Sequence, residues 1–279
     1  MFLHLNFSVY ASFFAWSLKT GEKAPYNGKT FYLSYIKNSG GDLKKEKQEI
    51  REKVWRKLLE ENVALPPFPV EGRIPNFRGA REAALKLSAS SIYQKAQVVF
   101  SNPDSPQRHV RELALRDGKI LVMASPRLRN GFIVLDPRKI PSDKVGLAST
   151  IRGAFIFGEK VLERVPVIDL KVAGSVAVDI YGGRVGKGGG FSDLEYAILK
   201  ALGALSEETP IVTTVHELQI VDFIPMDTHD VPMDYLFTPQ RVVKTQRKYP
   251  RPEGIYWDKL SSLDIESIPV LKLLLQRRG

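Results

Sequence analysis

Cysteine is absent from the 279 residues. That excludes disulfide scaffolds, thiolate metal sites and cysteine nucleophiles. It fits a reducing compartment such as the cytoplasm, which is the expected location. Histidine is scarce, and the four present (His4, His109, His216, His229) show no metal-ligand spacing. No stretch is long and apolar enough to span a bilayer as a helix, so no membrane partner is expected. Met1 to Leu18 is apolar and aromatic, but no Lys or Arg precedes Lys19, which argues against a secretory signal. What the chain does carry is 43% hydrophobic residues, enough for one sizeable core. It also carries a net charge of +10. Such a charge attracts nucleotides, polyglutamylated cofactors or nucleic acid, or serves solubility alone.

Organised patterns begin at Leu43. Residues 20–42 are rich in Gly, Asn, Ser and Tyr and read as linker. Residues 1–42 are therefore expected to be an accessory extension, or upstream sequence translated from a misassigned start. Residues 43–279 are expected to form one domain. Within it, Lys44–Asn62 has helical spacing (Ile50, Val54, Leu58), as do Ala80–Ser88 and His109–Arg116. Four prolines make residues 64–77 an extended loop. Strands are expected at Ala96–Phe100, Lys119–Ala124, within Val167–Val178, at Pro210–Val215, at Gln219–Asp222 and, last, at Tyr235–Thr238. Ser125–Arg129 reads as a loop, and Ile265–Arg277 as a closing helix. Strands alternating with helices predict a three-layer α/β/α Rossmann-like fold with a mainly parallel sheet. Ligands of such sheets sit beyond the carboxyl ends of the strands.

One loop sits between a strand and a helix at that edge: Gly182-Gly183-Arg184-Val185-Gly186-Lys187-Gly188-Gly189-Gly190. Successive glycines let backbone N–H groups converge. The helix that follows adds unpaired N–H groups and the positive end of its dipole. Arg184 and Lys187 add cations, so the loop suits phosphate; the alternative is an ordinary glycine turn. Ser192-Asp193-Leu194-Glu195 has capping-box form, with Ser192 at the N-cap. Asp193 then compensates the dipole or holds Mg²⁺ beside phosphate. Gly188 follows Lys187 where a Walker A loop has Ser or Thr.

The run Arg184-Val185-Gly186-Lys187-Gly188-Gly189-Gly190-Phe191-Ser192-Asp193 resembles the signature Arg-Leu-Gly-x-Gly-Gly-Gly-Tyr-Tyr-Asp-Arg of the 5-formyltetrahydrofolate cyclo-ligase family. Other blocks agree in order: Ala173 to Asp179, Glu217-Leu218-Gln219, His229 to Asp234, and Lys47 with Arg51. Ile50 to Trp55, Arg73 to Phe77, Pro126 to Arg129 and Asp193 to Tyr196 are similar to one branch, the methenyltetrahydrofolate synthetase domain-containing proteins. The resemblance covers residues 44–279.

It implies a fold of the NagB/RpiA/CoA transferase-like kind. It also implies an enzyme: ATP phosphorylates the formyl oxygen of 5-formyltetrahydrofolate, N10 attacks, and phosphate leaves to give 5,10-methenyltetrahydrofolate. ATP and Mg²⁺ are the implied cofactors and a reduced folate the implied partner. Position by position, Lys47, Arg51, Arg184, Gly186, Lys187, Gly188, Gly189, Gly190, Phe191 and Ser192 would hold ATP. Lys187 and Arg184 would act in catalysis, and Asp193 would hold the metal. Glu217, Gln219, His229 and Asp230 would face the substrate.

The sequence departs from the pattern in three places. Phe191 and Ser192 replace paired tyrosines, and Leu194 replaces an arginine. An acidic residue that the family uses to hold the pterin has no counterpart around Pro106–Arg111.

Outside the loop, His229 and Asp230 could do acid–base work or simply orient their own loop. Glu217 and Gln219 alternate at a strand end, facing either ligand or solvent. Arg241, Lys244, Arg247, Lys248 and Arg251 form a basic run, a solvated loop or a contact for RNA. A non-catalytic nucleotide- or RNA-binding protein on the same fold is the alternative function.

Overall fold

The structure is a computed structural model that describes residues 40–278. The extension expected over residues 1–42 lies outside that range except at Gly40–Asp42, where the first helix begins. Helix α1 (Gly40–Glu60) buries Val54, Trp55 and Leu58 on one stripe and exposes charge elsewhere. A two-residue ladder follows, β1 (Ala64–Leu65) with β2 (Asn76–Phe77), framing the proline-rich loop.

Eight strands form the central sheet. They are β3 (Val98–Ser101), β4 (Ile120–Ala124), β5 (Phe132–Leu135), β6 (Glu159–Val161), β7 (Leu170–Ala173), β10 (Ile211–Thr214), β11 (Tyr235–Phe237) and β12 (Val242–Lys244). Their spatial order is β12-β11-β10-β7-β3-β4-β5-β6. The central run from β11 to β4 is parallel throughout. β12, β5 and β6 add antiparallel edges. The mainly parallel sheet expected from the sequence is present.

Strands buried on both faces read as continuous apolar runs, and β7 and β10 are buried at every position. Helices α2 (Ala80–Ser88), α3 (Ser91–Lys95) and α4 (Arg108–Arg116) cover one face through Leu87, Tyr93 and Val110. α5 (Val145–Ala148) and α6 (Ile151–Phe157) extend that side over β4 and β5. α7 (Phe191–Ala201), α8 (Ser262–Ser267) and α9 (Pro269–Gln276) follow, and α7 and α9 cover the other face through Tyr196, Ile198 and Leu271.

Three expectations need correction. Tyr235–Phe237 is not the last strand, because β12 returns antiparallel beside it. Gln219–Asp222 is not a strand; residues Glu217–Gln219 make one 3-10 turn, in which Gln219 accepts from the backbone N–H of His216. The closing helix is two helices broken at Ile268, whose extended backbone (φ −114°, ψ 99°) precedes Pro269. A residue before proline is driven out of the helical region.

Candidate functional site

At the carboxyl edge of the sheet, β7 ends at Ala173 and the chain enters a hairpin of β8 (Ala177–Val178) and β9 (Arg184–Val185). Asp179 builds its turn. Oδ1 accepts from the N–H groups of Tyr181 and Gly183, both at 2.8 Å, and Oδ2 accepts from Ile224 N–H at 2.7 Å. Burial pushes its carboxyl up, and the three N–H groups pull it back. The hairpin delivers the chain to residues 187–190, all exposed, and then to α7.

Helix α7 starts earlier than expected. Its N-cap is Gly190, in the left-handed region (φ 67°), with no side-chain cap. Ser192 therefore does not cap the helix, and the capping box does not form. A residue in that region is strained unless it is glycine. Among the described residues, no acceptor meets the backbone N–H groups of Gly188, Gly189, Gly190, Phe191 and Ser192. A run of free N–H groups at the start of an 11-residue helix is a place for an anion.

The cations sort by role. Lys187 is the exposed one, and its Nζ donates to Asp104 Oδ1 at 2.8 Å. Arg51, on α1, donates from Nε to the Gly186 carbonyl at 2.7 Å. Burial lowers its pKa, the nearby Arg184 lowers it further, and Asp230 opposes both. Lys47, one turn earlier on α1, is ion-paired with Asp230. Arg184 is only 6% exposed. Its Nε and Nη2 donate to the Gly174 carbonyl at 3.1 and 2.9 Å, and Nη1 reaches Asp193 Oδ1 at 3.3 Å. Its bonds tie the hairpin to β7 and α7.

Asp193 also accepts from Val231 N–H at 3.0 Å. Burial raises the pKa of Asp230; Lys47 lowers it and Asp193 raises it again, which places two carboxylates in one electrostatic neighbourhood. Mg²⁺ is commonly held by one or two carboxylates plus phosphate oxygens. Asp193 and Asp230 beside the free N–H run fit that donor set. No group of three or more His, Asp or Glu side chains suited to a metal occurs among the described residues.

The substrate-side candidates are scattered. Gln219 is buried and donates to the carbonyls of Ser175 and Val176 at 2.9 and 3.1 Å. Glu217 pairs with Arg241 at 2.9 Å and accepts from Thr238 at 2.6 Å. His229 faces Lys259 at 3.0 Å and Asp227 at 3.5 Å, and its ring meets Tyr256 edge-on. Asp230 alone of the four joins the cations around the glycine-rich loop. The basic run is largely neutralised, with Arg241 on Glu217, and Arg247 and Arg251 on Asp234.

Several residues of the site escaped sequence reasoning. The turn after β3 places Asp104 against Lys187. Arg111, buried beneath it, builds that turn by donating to the carbonyls of Asn102, Asp104 and Ser149 at 2.6, 2.9 and 2.7 Å. Asn102, Lys171 and Glu195 lie buried between the turn, β7 and α7. The sequence held one signal for them, a lysine inside the apolar run of β7, since lysine is almost never buried unpaired.

A mainly parallel sheet with a glycine-rich strand–helix loop, free N–H groups and surrounding cations defines an α/β protein of the Rossmann-like class with a loop suited to an anion. The family model for the "5-formyltetrahydrofolate cyclo-ligase family" matches residues 43–239, and the chain belongs to that family. It is 41% identical over 237 residues to a mouse methenyltetrahydrofolate synthase domain-containing protein, covering 83% of this chain and 63% of that one. The human counterpart is 40% identical over 237 residues, covering 83% and 62%. The chain thus spans under two thirds of the length of these relatives. A 5-formyltetrahydrofolate cyclo-ligase of Mycolicibacterium smegmatis is 29% identical over 85 residues, 30% of this chain and 41% of its own. Among solved structures, a 5,10-methenyltetrahydrofolate synthetase of Aquifex aeolicus overlays with a TM-score of 0.47 at 21% identity, over 77% of this chain and 99% of its own.

Proposed function

We propose that this protein converts 5-formyltetrahydrofolate to 5,10-methenyltetrahydrofolate in the cytoplasm, using ATP and Mg²⁺. The observation that carries this is the run of free N–H groups from the exposed Gly188 to the half-buried Ser192, flanked by Lys187 and Arg51, in a chain of the cyclo-ligase family. Phosphoryl transfer asks mainly for positioning and charge neutralisation. The run, with Lys187, Arg51 and Lys47, receives the ATP phosphates. Arg184 fixes the loop and lies behind the phosphates. Asp193 and Asp230 would hold Mg²⁺, which would supply further neutralisation of the phosphate charge.

The γ-phosphoryl group passes to the formyl oxygen, with ADP leaving. N10 then attacks the formyl carbon and gives up its proton to solvent, the C–O bond breaks, and inorganic phosphate departs. Asp104 stands across from Lys187, with its carboxylate on the Lys187 ammonium at 2.8 Å. Gln219 supports the hairpin from beneath through the carbonyls of Ser175 and Val176, and Glu217 is taken up by Arg241 and Thr238. Asp230 joins its loop to α1 through Lys47, while His229 is held by Lys259 and Asp227.

Absorbance at the methenyltetrahydrofolate band tests this, with MgATP and 5-formyltetrahydrofolate added to the purified protein. An ATP-dependent rise that Lys187→Ala diminishes is the expected result. A flat trace from protein that binds ATP would overturn the folate chemistry and leave the nucleotide loop.

A further inference from the structure

Lys171 sits on β7, in the middle of the sheet, fully buried beneath α7. Its Nζ has no hydrogen-bond partner, lies 4.1 Å from the centre of the Phe100 ring, and is 3.8 Å from Glu195 Oε2. Glu195, on α7, is equally buried, and its Oε2 accepts from Asn102 Nδ2 at 2.5 Å. The other end of the Asn102 amide points at the loop. Its Oδ1 accepts from Gly174 N–H at 3.1 Å and from the Ser192 hydroxyl at 3.2 Å.

A buried ion pair rarely adds stability over apolar residues of the same size; what it can supply is a fixed arrangement. A carboxylate only accepts, so Glu195 obliges Asn102 to turn its NH₂ inward. The amide oxygen is then held outward, toward Gly174 and Ser192. Ser192 and Glu195 are three residues apart on α7 and share a helix face. Asn102 therefore clamps the first turn of α7 against the ends of β3 and β7. Lys171 supplies the counter-charge that lets the Glu195 carboxylate stay in the core.

We infer that Asn102 is a positioning residue for the phosphate loop, locked by the buried Lys171–Glu195 pair and setting the placement of Ser192 and Gly174. This rests on the reading of Gly188–Ser192 as the nucleotide site, not on the identity of the folate. All three residues are buried, so they act through the loop.

The test reverses the direction of the bond. Asn102→Asp puts a second carboxylate against Glu195 and removes the donor. Combined with Glu195→Gln, the new amide donates to the new carboxylate, with the same net charge beside Lys171. Three readouts are taken on the full chain: the Kd of a fluorescent ATP analogue, kcat and KM for ATP, and hydrogen exchange of residues 184–193. For Asn102→Asp, Kd and KM rise about tenfold while kcat stays within about twofold. Exchange speeds up in the loop and not across the sheet. The double variant returns Kd to within about threefold of the parent.

An unchanged Kd and loop exchange in Asn102→Asp would overturn the inference, as would a double variant no better than the single one. If Asn102→Asp does not fold, Glu195→Gln alone is read by the same Kd and exchange. Its amide keeps an acceptor but strands Lys171, so loosening of the loop is expected, and a parental Kd overturns the idea. A parent that binds the analogue without folate turnover sinks the proposed reaction and leaves Kd to decide this one. A parent that binds no nucleotide sinks both.

Discussion

Lys187 Nζ donates to Asp104 Oδ1 at 2.8 Å, so the exposed cation of the glycine-rich loop is tied to the turn after β3. On the proposed function, that bond and a bound phosphate would compete for the same ammonium. An exposed pair is worth at most about 1 kcal/mol. Asp104→Asn should therefore tighten ATP binding by up to about fivefold, measured by calorimetry. Lys187→Ala removes a charge-assisted contact worth about 1.5–3 kcal/mol, and kcat/KM for ATP should fall roughly tenfold to a hundredfold. Equal ATP affinity in both variants and the parent would mean that Lys187 does not reach the phosphates.

Asp193 carries two loads. Its carboxylate is the counter-ion of the nearly buried Arg184 and the acceptor of Val231 N–H. Asn at this position keeps an acceptor for Val231 and removes the charge. Stranding one member of a buried pair costs about 3 kcal/mol, although the Gly174 carbonyl still holds Arg184. Asp193→Asn should lower Tm by roughly 6–12 °C. Mg²⁺-dependent turnover should fall more than about tenfold at a temperature where the fold is intact. A Tm shift with unaltered Mg²⁺ titration would assign Asp193 to structure alone.

The parts of the fold set by local pattern were legible. Helix Ala80–Ser88 appears at the expected residues, and the central strands fall within a few positions of the apolar runs. Runs buried on both faces carry their own signal. The edges were not legible, because β5 and β6 pair only with neighbours across the sheet and are read from those pairings. The glycine-rich loop was found from its residues, but the start of α7 was not. Gly190 took the N-cap in the left-handed region two residues before Ser192, and Ser192 turned to Asn102 instead. Glu217 and Gln219 looked like alternating strand positions, and a capping bond curled them into a turn. Asp104, Asn102 and Glu195 meet only through tertiary contact, so spacing along the chain gave no sign of them.

Acid should weaken the Asp227–Lys259 contact in a defined window. Burial works to raise the Asp227 carboxyl, but the hydrogen bond from Lys259, the charge of His229 and the Thr228 N–H hold it down at about 2. The unfolded value is about 3.9. A depressed carboxyl stabilises the fold above its unfolded pKa and loses that contribution as pH falls toward the folded one. With Asp227 and Lys259 at 26% and 37% side-chain exposure, screening reduces the effect to about 1 kcal/mol. Lys259→Ala should cost that much at pH 6 and nothing near pH 2 in urea unfolding. A gap of the same size at both pH values would show that the lysine acts through packing.

Gly190 separates loop geometry from loop stability. Its φ of 67° is left-handed, and a Cβ there would meet nothing within 4 Å. Gly190→Ala thus adds no clash, only a backbone penalty of about 1–2 kcal/mol. The chain can meet that penalty or escape it by moving out of the left-handed region. Escape would swing the free N–H groups of Gly189, Gly190 and Phe191 apart. Gly186→Ala differs, because its Cβ would sit 2.9 Å from Arg184 Nη2 and push the guanidinium off Gly174. Gly186→Ala, which displaces that guanidinium, should therefore lower Tm by several degrees, and Gly190→Ala should lower it by about 2–8 °C. Its ATP affinity should nonetheless fall about threefold to tenfold, because converging N–H groups bind phosphate only while they converge. Parental affinity in Gly190→Ala would mean that the phosphates contact the side chains of Lys187 and Arg51 and not the backbone of the loop.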